Sequence, residues 1–327
     1  MSIKLIRGLE NYEAPEGQAV VATIGTFDGI HRGHQKILGR VLSHAAQLNA
    51  EPLVITFDPH PRTLVTPGEA PLLLTTLPEK ERYLGRYFRG MVLTLQFNAA
   101  LQNLSAADFV RDVLVSRLGL KQLVVGADHA FGKDRSGNID ELRRLGAQFD
   151  FQVDVVEPVV LDSERVSSTK VRRQLEGGDL GRAVDFLGHS YAILGMVEKG
   201  IGLGHKLGYP TANIGYGGRK LLPPQGVYAC RAQVGERRKE GMLFIGRNHF
   251  NPEVRITVEA NLFDFEEDIY DQELIAYPIR FVRPNRKFES TEALVDQIKL
   301  DKQEVLRILE KENQNVSDQR AESPNHL

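Results

Sequence analysis

Between Val20 and about Val160 the apolar residues fall in short β-prone runs, VVATI, PLVITF, MVLTL, QLVVGA and FQVDVV. These runs alternate with segments in which apolar residues recur at helical spacing, near Gln35, Lys80, Ser105 and Asn138. In the first such segment Ile37, Leu38, Val41, Leu42 and Ala45 share one face. Ser105, ahead of Phe109, Val110, Val113 and Leu114 and followed by the acidic Asp108, reads as a helix N-cap. Strands alternating with helices predict an α/β domain on a parallel sheet, with its binding crevice at the C-terminal ends of the strands.

After Glu176-Gly177-Gly178-Asp179 the period changes. Short alternating runs at Tyr191 to Glu198, Gly226 to Val234, Met242 to Gly246, Val254 to Asp264 and Glu273 to Val282 predict five or six strands separated by Gly, Pro and Asn. A small antiparallel β-barrel closes its own edges and fits this pattern. From Ser290, the positions Leu294, Val295, Ile298, Val305 and Ile308 mark an amphipathic terminal helix that packs on the barrel. The expected domains are 1–187 and 188–312, with a polar, aperiodic and unstructured tail over 313–327.

A chain of 327 residues exceeds what one core usually supports, in keeping with two domains. A formal net charge of -2 disfavours a nucleic-acid binder. With one cysteine, Cys230, there is no internal disulfide framework, and a reducing compartment suits it. No stretch is apolar for long enough to span a membrane and the N-terminus has no signal-like apolar region, so the expectation is a soluble cytoplasmic protein.

The candidate chemistry begins at Ile24 to His34, IGTFDGIHRGH, where a strand becomes a helix. Such a junction aims free backbone N–H groups and a helix dipole at one point, which attracts phosphate. Gly25, Gly29 and Gly33 let a ligand approach the backbone, and Thr26 and Asp28 are expected to bond locally within the turn. His31 and His34 fall one helical turn apart and can donate to phosphate oxygens. Alone, HRGH suits equally a phosphate site, half of a zinc site or two surface histidines. The run Val166 to Arg172, VSSTKVR, adds Ser168, Thr169 and Arg172 at a helix start, a second phosphate grip or an ordinary N-cap.

In the second half, Gly200 to Asn213 reads GIGLGHKLGYPTAN and fails both the GxGxxG and the GxxxxGK[ST] patterns. Thr211 and Asn213 nevertheless offer hard oxygen donors on one face of an extended segment, fit for Mg²⁺ and phosphate. Glu259 in ITVEANLFDF shares a strand face with Asn261, either as a base toward an alcohol or as a solvated strand residue.

The words GTFDGIHRGH, FDPHP at Phe57 to Pro61, GADHAFGKDRSG at Gly126 to Gly137 and SSTKVR, in that order and spacing, resemble the nucleotidylyltransferase module of bacterial bifunctional FAD synthetases. LGYPTAN, VEANLFDF and the Lys287, Phe288 and Ser290 ending resemble the riboflavin kinase module that follows it in bacteria. The resemblance covers nearly the whole chain up to about Lys311. It implies a Rossmann-like α/β domain followed by the barrel. It also implies that Gly25, Thr26, Phe27, His31, Gly33, His34, Ser168, Thr169 and Arg172 serve ATP in adenylyl transfer, with His205 on the ATP of the kinase half. Asp58, His60, Asp128 and Phe131 then line the flavin site, Thr211 and Asn213 hold Mg-ATP, and Glu259 is the base for the riboflavin hydroxyl.

This chain departs from the family pattern at Asp128, where asparagine is common, and at His205, where arginine or lysine is usual. It departs again at Asn248, His249 and Asp271, and in the stretch Arg283 to Phe288, which lacks a frequent glutamate. The activity implied is riboflavin phosphorylation to FMN with Mg-ATP and FMN adenylylation to FAD, on small molecules only, with no nucleic acid or membrane partner. Rival readings are adenylyl transfer to phosphopantetheine or nicotinamide mononucleotide, which the barrel disfavours, and a flavin-binding regulator or monofunctional enzyme that has lost one activity.

Overall fold

A computed structural model describes the chain except residues 1–2, 16, 67, 130–131, 133–136, 201, 248–255 and 323–327. The chain divides into two compact units, Met1–Ser168 and Thr169–Leu327.

The first unit is a six-stranded, all-parallel sheet of β1 (Lys4–Arg7), β2 (Val20–Ile24), β3 (Glu51–Asp58), β4 (Met91–Gln96), β5 (Leu120–Gly126) and β6 (Gln152–Val156), in the order β1-β4-β3-β2-β5-β6. The five apolar runs are β2 to β6. Every residue of β2 is buried, as expected of a central parallel strand covered on both faces. The edge strand β1 lies ahead of the runs recognised in the sequence. It has four residues, of which Ile6 alone is buried, too few to set up a period.

The helices of this unit are α1 (Arg32–Leu48), α2 (Arg62–Val65), α3 (Leu77–Tyr87), α4 (Ala99–Asn103), α5 (Ala106–Asp108) and α6 (Ile139–Phe149). Ser105 caps α5 as its sequence suggests, its Oγ accepting the Asp108 amide at 3.0 Å, and the chain continues as a π-helical stretch over Phe109–Arg117. Thr76 and Glu79 form a reciprocal capping box at the start of α3, which fixes where that helix begins. A hairpin of β7 (Val160–Leu161) and β8 (Glu164–Arg165) precedes α7 (Ser168–Glu176).

The second unit carries α8 (Leu180–Leu187), capped by Asp179 and closed by Gly188 at φ 72°. Its barrel comprises β9 (Ile193–Glu198), β10 (Ala212–Tyr216), β11 (Gly226–Val234), β12 (Arg237–Gly246), β13 (Thr257–Leu262) and β14 (Glu273–Arg283), with the one-turn helix α9 (Leu203–Lys206) between β9 and β10. The strands close in the order β10-β13-β12-β11-β14-β9, all antiparallel, leaving no exposed edge. Because α8 packs against β14, this unit begins ahead of the change of sequence pattern near residue 188.

The terminal helix α10 (Thr291–Glu322) lays Val305, Ile308 and Leu309 against Ala229, Met242 and Phe263. Arg283 grips the buried Asp301 with bonds of 2.8 and 2.7 Å, tying α10 to β14. The helix does not stop before Asn313, where the sequence reading expects an unstructured tail, but runs to Glu322. Asn313 supplies the physical reason: it accepts from Arg231 at 2.6 Å and donates to Glu240 at 3.2 Å, so barrel side chains hold the turn that composition alone leaves unsupported.

Candidate active sites

In the sheet, the chain runs outward from β2 through β3 and β4, then returns to the other side of β2 as β5 and β6. That reversal makes the C-terminal ends of β2 and β5 the natural crevice of an open α/β sheet. The turn Gly25 to His31 leaves β2 at this point, and within it Phe27, Gly29 and Ile30 take positive φ values of 47°, 83° and 39°. A bulky residue in that region is strained, so something must hold it there. Asp28 does so. Its buried carboxylate accepts the backbone N–H of Thr75 at 2.9 Å and of Leu74 at 3.1 Å, while the Gly29 N–H donates to Thr75 Oγ1 at 3.0 Å. The carboxylate thus reaches beyond its own turn to the segment leading into α3, a long-range role that the expectation of a local turn bond did not include.

His31 is the N-cap of α1 rather than a residue of its first turn, and its Nδ1 accepts the His34 N–H at 3.3 Å. Accepting at Nδ1 puts the proton of a neutral His31 ring on Nε2. The two imidazoles stack with centroids 3.7 Å apart and planes 16° from parallel. Gly33 is what permits this, because a Cβ there would sit 3.1 Å from His31 Cε1. Phe27 packs on the other ring, 5.1 Å from His34. The Nδ1 of His34 is enclosed with no hydrogen-bond partner among the described residues. Burial first, then the nearby His31 and Lys80, push the His34 pKa well below the usual histidine value, so this ring is neutral at physiological pH.

Ser168 joins the same turn, its Oγ donating to the Asp28 carbonyl at 2.9 Å. Thr169 and Arg172 follow it on α7. Gly25 donates to the Ile55 carbonyl at 3.0 Å and the Thr26 carbonyl accepts from Thr56 Oγ1 at 3.2 Å, which pins the turn to β3. Asp58 is exposed at the end of β3, and His60 follows it, its Nδ1 accepting the Arg62 N–H at 3.2 Å. Asp128, after β5, has an exposed ion-pair partner in Arg165 of β8, one bond measuring 2.8 Å. Phe131 lies outside the described residues.

One polar side chain of this crevice was not singled out from the sequence. Lys80 of α3 is 7% exposed and donates to Thr56 Oγ1 at 3.3 Å and to the Phe57 carbonyl at 3.4 Å. Its position in the helical repeat marked it as part of a helix face, which hid it among ordinary surface lysines.

In the barrel, β10 and β13 pair so that Asn213 lies opposite Glu259, and Ala212 opposite Ala260. Val258 and Ala260 are buried in the barrel core, while the half-buried Glu259 faces the other way with Asn213, as strand alternation requires. Both carboxylate oxygens of Glu259 accept a hydroxyl, Thr211 Oγ1 at 3.2 Å and Thr257 Oγ1 at 3.2 Å. Glu259 is thus a held group rather than a solvated strand residue. Thr257 was also missed in the sequence, although it sits two positions before Glu259 on the same face. Asn261 donates to the Pro210 carbonyl at 2.7 Å and so fixes the entry to β10.

The glycine loop ahead of β10 is shaped by close approach. A Cβ on Gly200 would lie 2.2 Å from the Asn213 amide nitrogen, and one on Gly204 would lie 2.4 Å from the Tyr209 carbonyl and 3.2 Å from Thr211 Oγ1. His205, on α9, is exposed and its ring makes no hydrogen bond among the described residues. Asn248 and His249 lie outside the described residues, and Asp271 takes a positive φ of 58° ahead of β14.

No group of three or more histidine, cysteine, aspartate or glutamate side chains suited to a metal occurs among the described residues. The donors Thr211, Asn213 and Glu259 are one hydroxyl, one amide and one carboxylate. Such a set suits a hard cation that takes its remaining ligands from nucleotide phosphates and water. Among the described residues no helix is long and apolar enough to cross a membrane.

A strained turn at a helix start with paired imidazoles, and a separate barrel carrying a hydroxyl-held carboxylate, define a transferase with two phosphate-handling units. Residues 13–170 match the family model for FAD synthetase and residues 187–309 that for riboflavin kinase. A bifunctional riboflavin kinase/FMN adenylyltransferase of Pseudomonas fluorescens is 39% identical over 300 residues, spanning 91% of this chain and 96% of the relative. The corresponding proteins of Escherichia coli K12 and Listeria monocytogenes are 35% and 32% identical, over 91% and 87% of this chain and 96% and 90% of theirs. A crystal structure described as a macrolide-efflux protein from Streptococcus pneumoniae shares the fold, with a TM-score of 0.79 at 29% identity over 93% of this chain and 98% of that one.

The chain belongs to the bifunctional riboflavin kinase/FMN adenylyltransferase family. It phosphorylates riboflavin to FMN and adenylylates FMN to FAD, with ATP as the donor in both steps.

Proposed function

We propose that adenylyl transfer runs at the β2–α1 turn and phosphoryl transfer at Glu259, each with the residues described above. Residues 1–187 are assigned to the first activity, 188–312 to the second and 313–327 to neither. The observation that carries this reading is the pairing of Glu259 with the Thr211 hydroxyl at 3.2 Å, opposite Asn213, because it assembles a base and a phosphate-metal grip within the barrel, from residues that do not include the histidines.

In adenylyl transfer the phosphate of FMN is already an anionic nucleophile, so the site needs donors rather than a base. The His31 Nε2–H, the neutral His34, the backbone N–H groups at the start of α1 and the Ser168, Thr169 and Arg172 segment hold the α-phosphate as pyrophosphate leaves. Gly25, Thr26, Phe27 and Gly33 shape the ATP contact. Asp58, His60, Asp128 and Phe131 line the flavin side. In phosphoryl transfer Glu259 orients the riboflavin hydroxyl and takes its proton, held in place by Thr211 and Thr257. Enzymes that use ATP in such reactions generally need a divalent metal. We assign Mg²⁺, on Thr211 and Asn213, and when bound it neutralises charge on the β- and γ-phosphates. His205 contributes to the ATP contact of this half. A cytoplasmic location suits these substrates and the single buried thiol of Cys230, whose pKa burial pushes up to about 12.

The test is to incubate the purified chain with riboflavin, ATP and Mg²⁺ and to resolve riboflavin, FMN and FAD by chromatography. Both products should form. Absence of both contradicts the reading, and Mn²⁺ or Ca²⁺ supporting the kinase step far better than Mg²⁺ contradicts the metal assignment.

A further inference from the structure

Lys80 is held in the adenylyl-transfer crevice in an unusual state for a lysine. It is 7% exposed, and its two hydrogen bonds, at 3.3 and 3.4 Å, go to neutral oxygens. Among the described residues it makes no ion pair. An ammonium carries three donors and is costly to bury without an anion. Burial accordingly lowers its pKa, while the carboxylates of Asp28, Asp58 and Glu81 pull it back up.

The way Lys80 reaches this place is itself specific. Asp28, in the turn between β2 and α1, binds the backbone of Leu74 and Thr75, and the Thr76–Glu79 capping box then starts α3 at Leu77, three residues before Lys80. The same carboxylate that holds the strained turn therefore docks the N-terminus of α3 on it. Lys80 crosses to Thr56 and Phe57 at the C-terminal end of β3, within electrostatic reach of both His34 and Asp58. Its charge is felt at His34, whose pKa it helps to lower. Beside a neutral His34, the buried lysine brings a positive charge to the floor of the crevice.

We propose that Lys80 is a catalytic residue of adenylyl transfer whose ammonium binds a phosphate oxygen in the reaction centre. The contact replaces its two long bonds to neutral oxygens by a charge-assisted one. Two phosphates share that chemistry, the monoester of FMN and the α-phosphate of ATP. The inference rests on the reading of the β2–α1 turn as the adenylyl-transfer site.

The experiment uses Lys80→Met, Lys80→Arg and His34→Ala in the full chain. FAD formation from supplied FMN, ATP and Mg²⁺ is measured with KM for FMN and for ATP separately. Melting temperature and riboflavin phosphorylation are recorded on the same preparations. Lys80→Met should lower kcat/KM for FAD formation about 100-fold. Its melting temperature should stay at or above the wild-type value, because an unpaired buried charge is removed, and Lys80→Arg should recover about tenfold of the loss. A KM rise confined to FMN assigns the oxygen to the monoester, and one confined to ATP assigns it to the nucleotide; either supports the proposal. Lys80→Met within about threefold of wild type, with His34→Ala inactive, overturns the role of Lys80 and leaves the site reading standing. Equal losses in Lys80→Met and Lys80→Arg with a lowered melting temperature overturn it as well, since they mark a structural staple. FAD formation at the wild-type rate in His34→Ala would instead remove the site reading itself.

Discussion

His31 both caps α1 and stacks on His34, its Nδ1 taking the His34 N–H at 3.3 Å while the rings lie 3.7 Å apart. One side chain therefore closes a helix end, and the phosphate contact proposed for its Nε2–H is separable from that duty. Asparagine is among the best N-caps but has no imidazole. His31→Asn should keep the melting temperature close to wild type while FAD formation falls about 100-fold. His31→Ala should lose the same activity and in addition about 1 kcal/mol of stability. Equal melting temperatures for the two variants in thermal denaturation would contradict the capping role.

The enclosed His34 gives a pH dependence of known sign. Its folded pKa lies well below 6.5, chiefly through burial. Above the unfolded value of about 6.5 neither state carries the proton. As pH falls below it, the unfolded chain takes up a proton that the folded one refuses, so stability is lost toward acid. Between about pH 7 and pH 5 the melting temperature of the wild type should drop more than that of His34→Gln. Parallel curves would contradict the depressed pKa.

Much of this arrangement is legible in the sequence. The five apolar runs became β2 to β6, and alternation grouped Glu259 with Asn261 and Thr211 with Asn213, each pair on one face of its own strand, whereas the pairing of Asn213 with Glu259 across strands is seen only in the fold. The motif that begins at Ser168 meets the Gly25 to His34 turn through the Ser168 bond to the Asp28 carbonyl. What was hidden depends on long-range pairing. Asp28 looks like a turn residue until Leu74 and Thr75 are known to lie beside it, and Lys80 looks like a helix-surface lysine until α3 is docked. Asn313 reads as the start of a polar tail because its partners, Arg231 and Glu240, belong to strands far away in the chain.

Asp28→Ala leaves the Leu74 and Thr75 N–H groups without their buried acceptor, at about 1–3 kcal/mol for each group. It also frees the N-terminus of α3. FAD formation should fall together with a lowered melting transition, while riboflavin phosphorylation remains. Asp28→Ala with wild-type FAD formation and melting would show that the clamp is dispensable.

Gly200 approaches the Asn213 amide so closely that any Cβ must displace it. Gly200→Ala should therefore raise the KM for Mg-ATP in riboflavin phosphorylation by about tenfold and leave FMN adenylylation unchanged. Steady-state kinetics of the two half-reactions decide it, and an unaltered KM would mean that Asn213 does not need its present position.

The central claim is that one chain holds two chemistries on two separate constellations. The most direct measurement is product analysis of Glu259→Gln and His34→Ala, each supplied first with riboflavin and then with FMN, with ATP and Mg²⁺ throughout. Glu259→Gln should make FMN from riboflavin at least about 100-fold more slowly yet convert supplied FMN to FAD at the wild-type rate. His34→Ala should do the reverse, accumulating FMN from riboflavin and forming almost no FAD. Loss of both conversions in either variant, in a protein that still melts as the wild type does, would contradict the division.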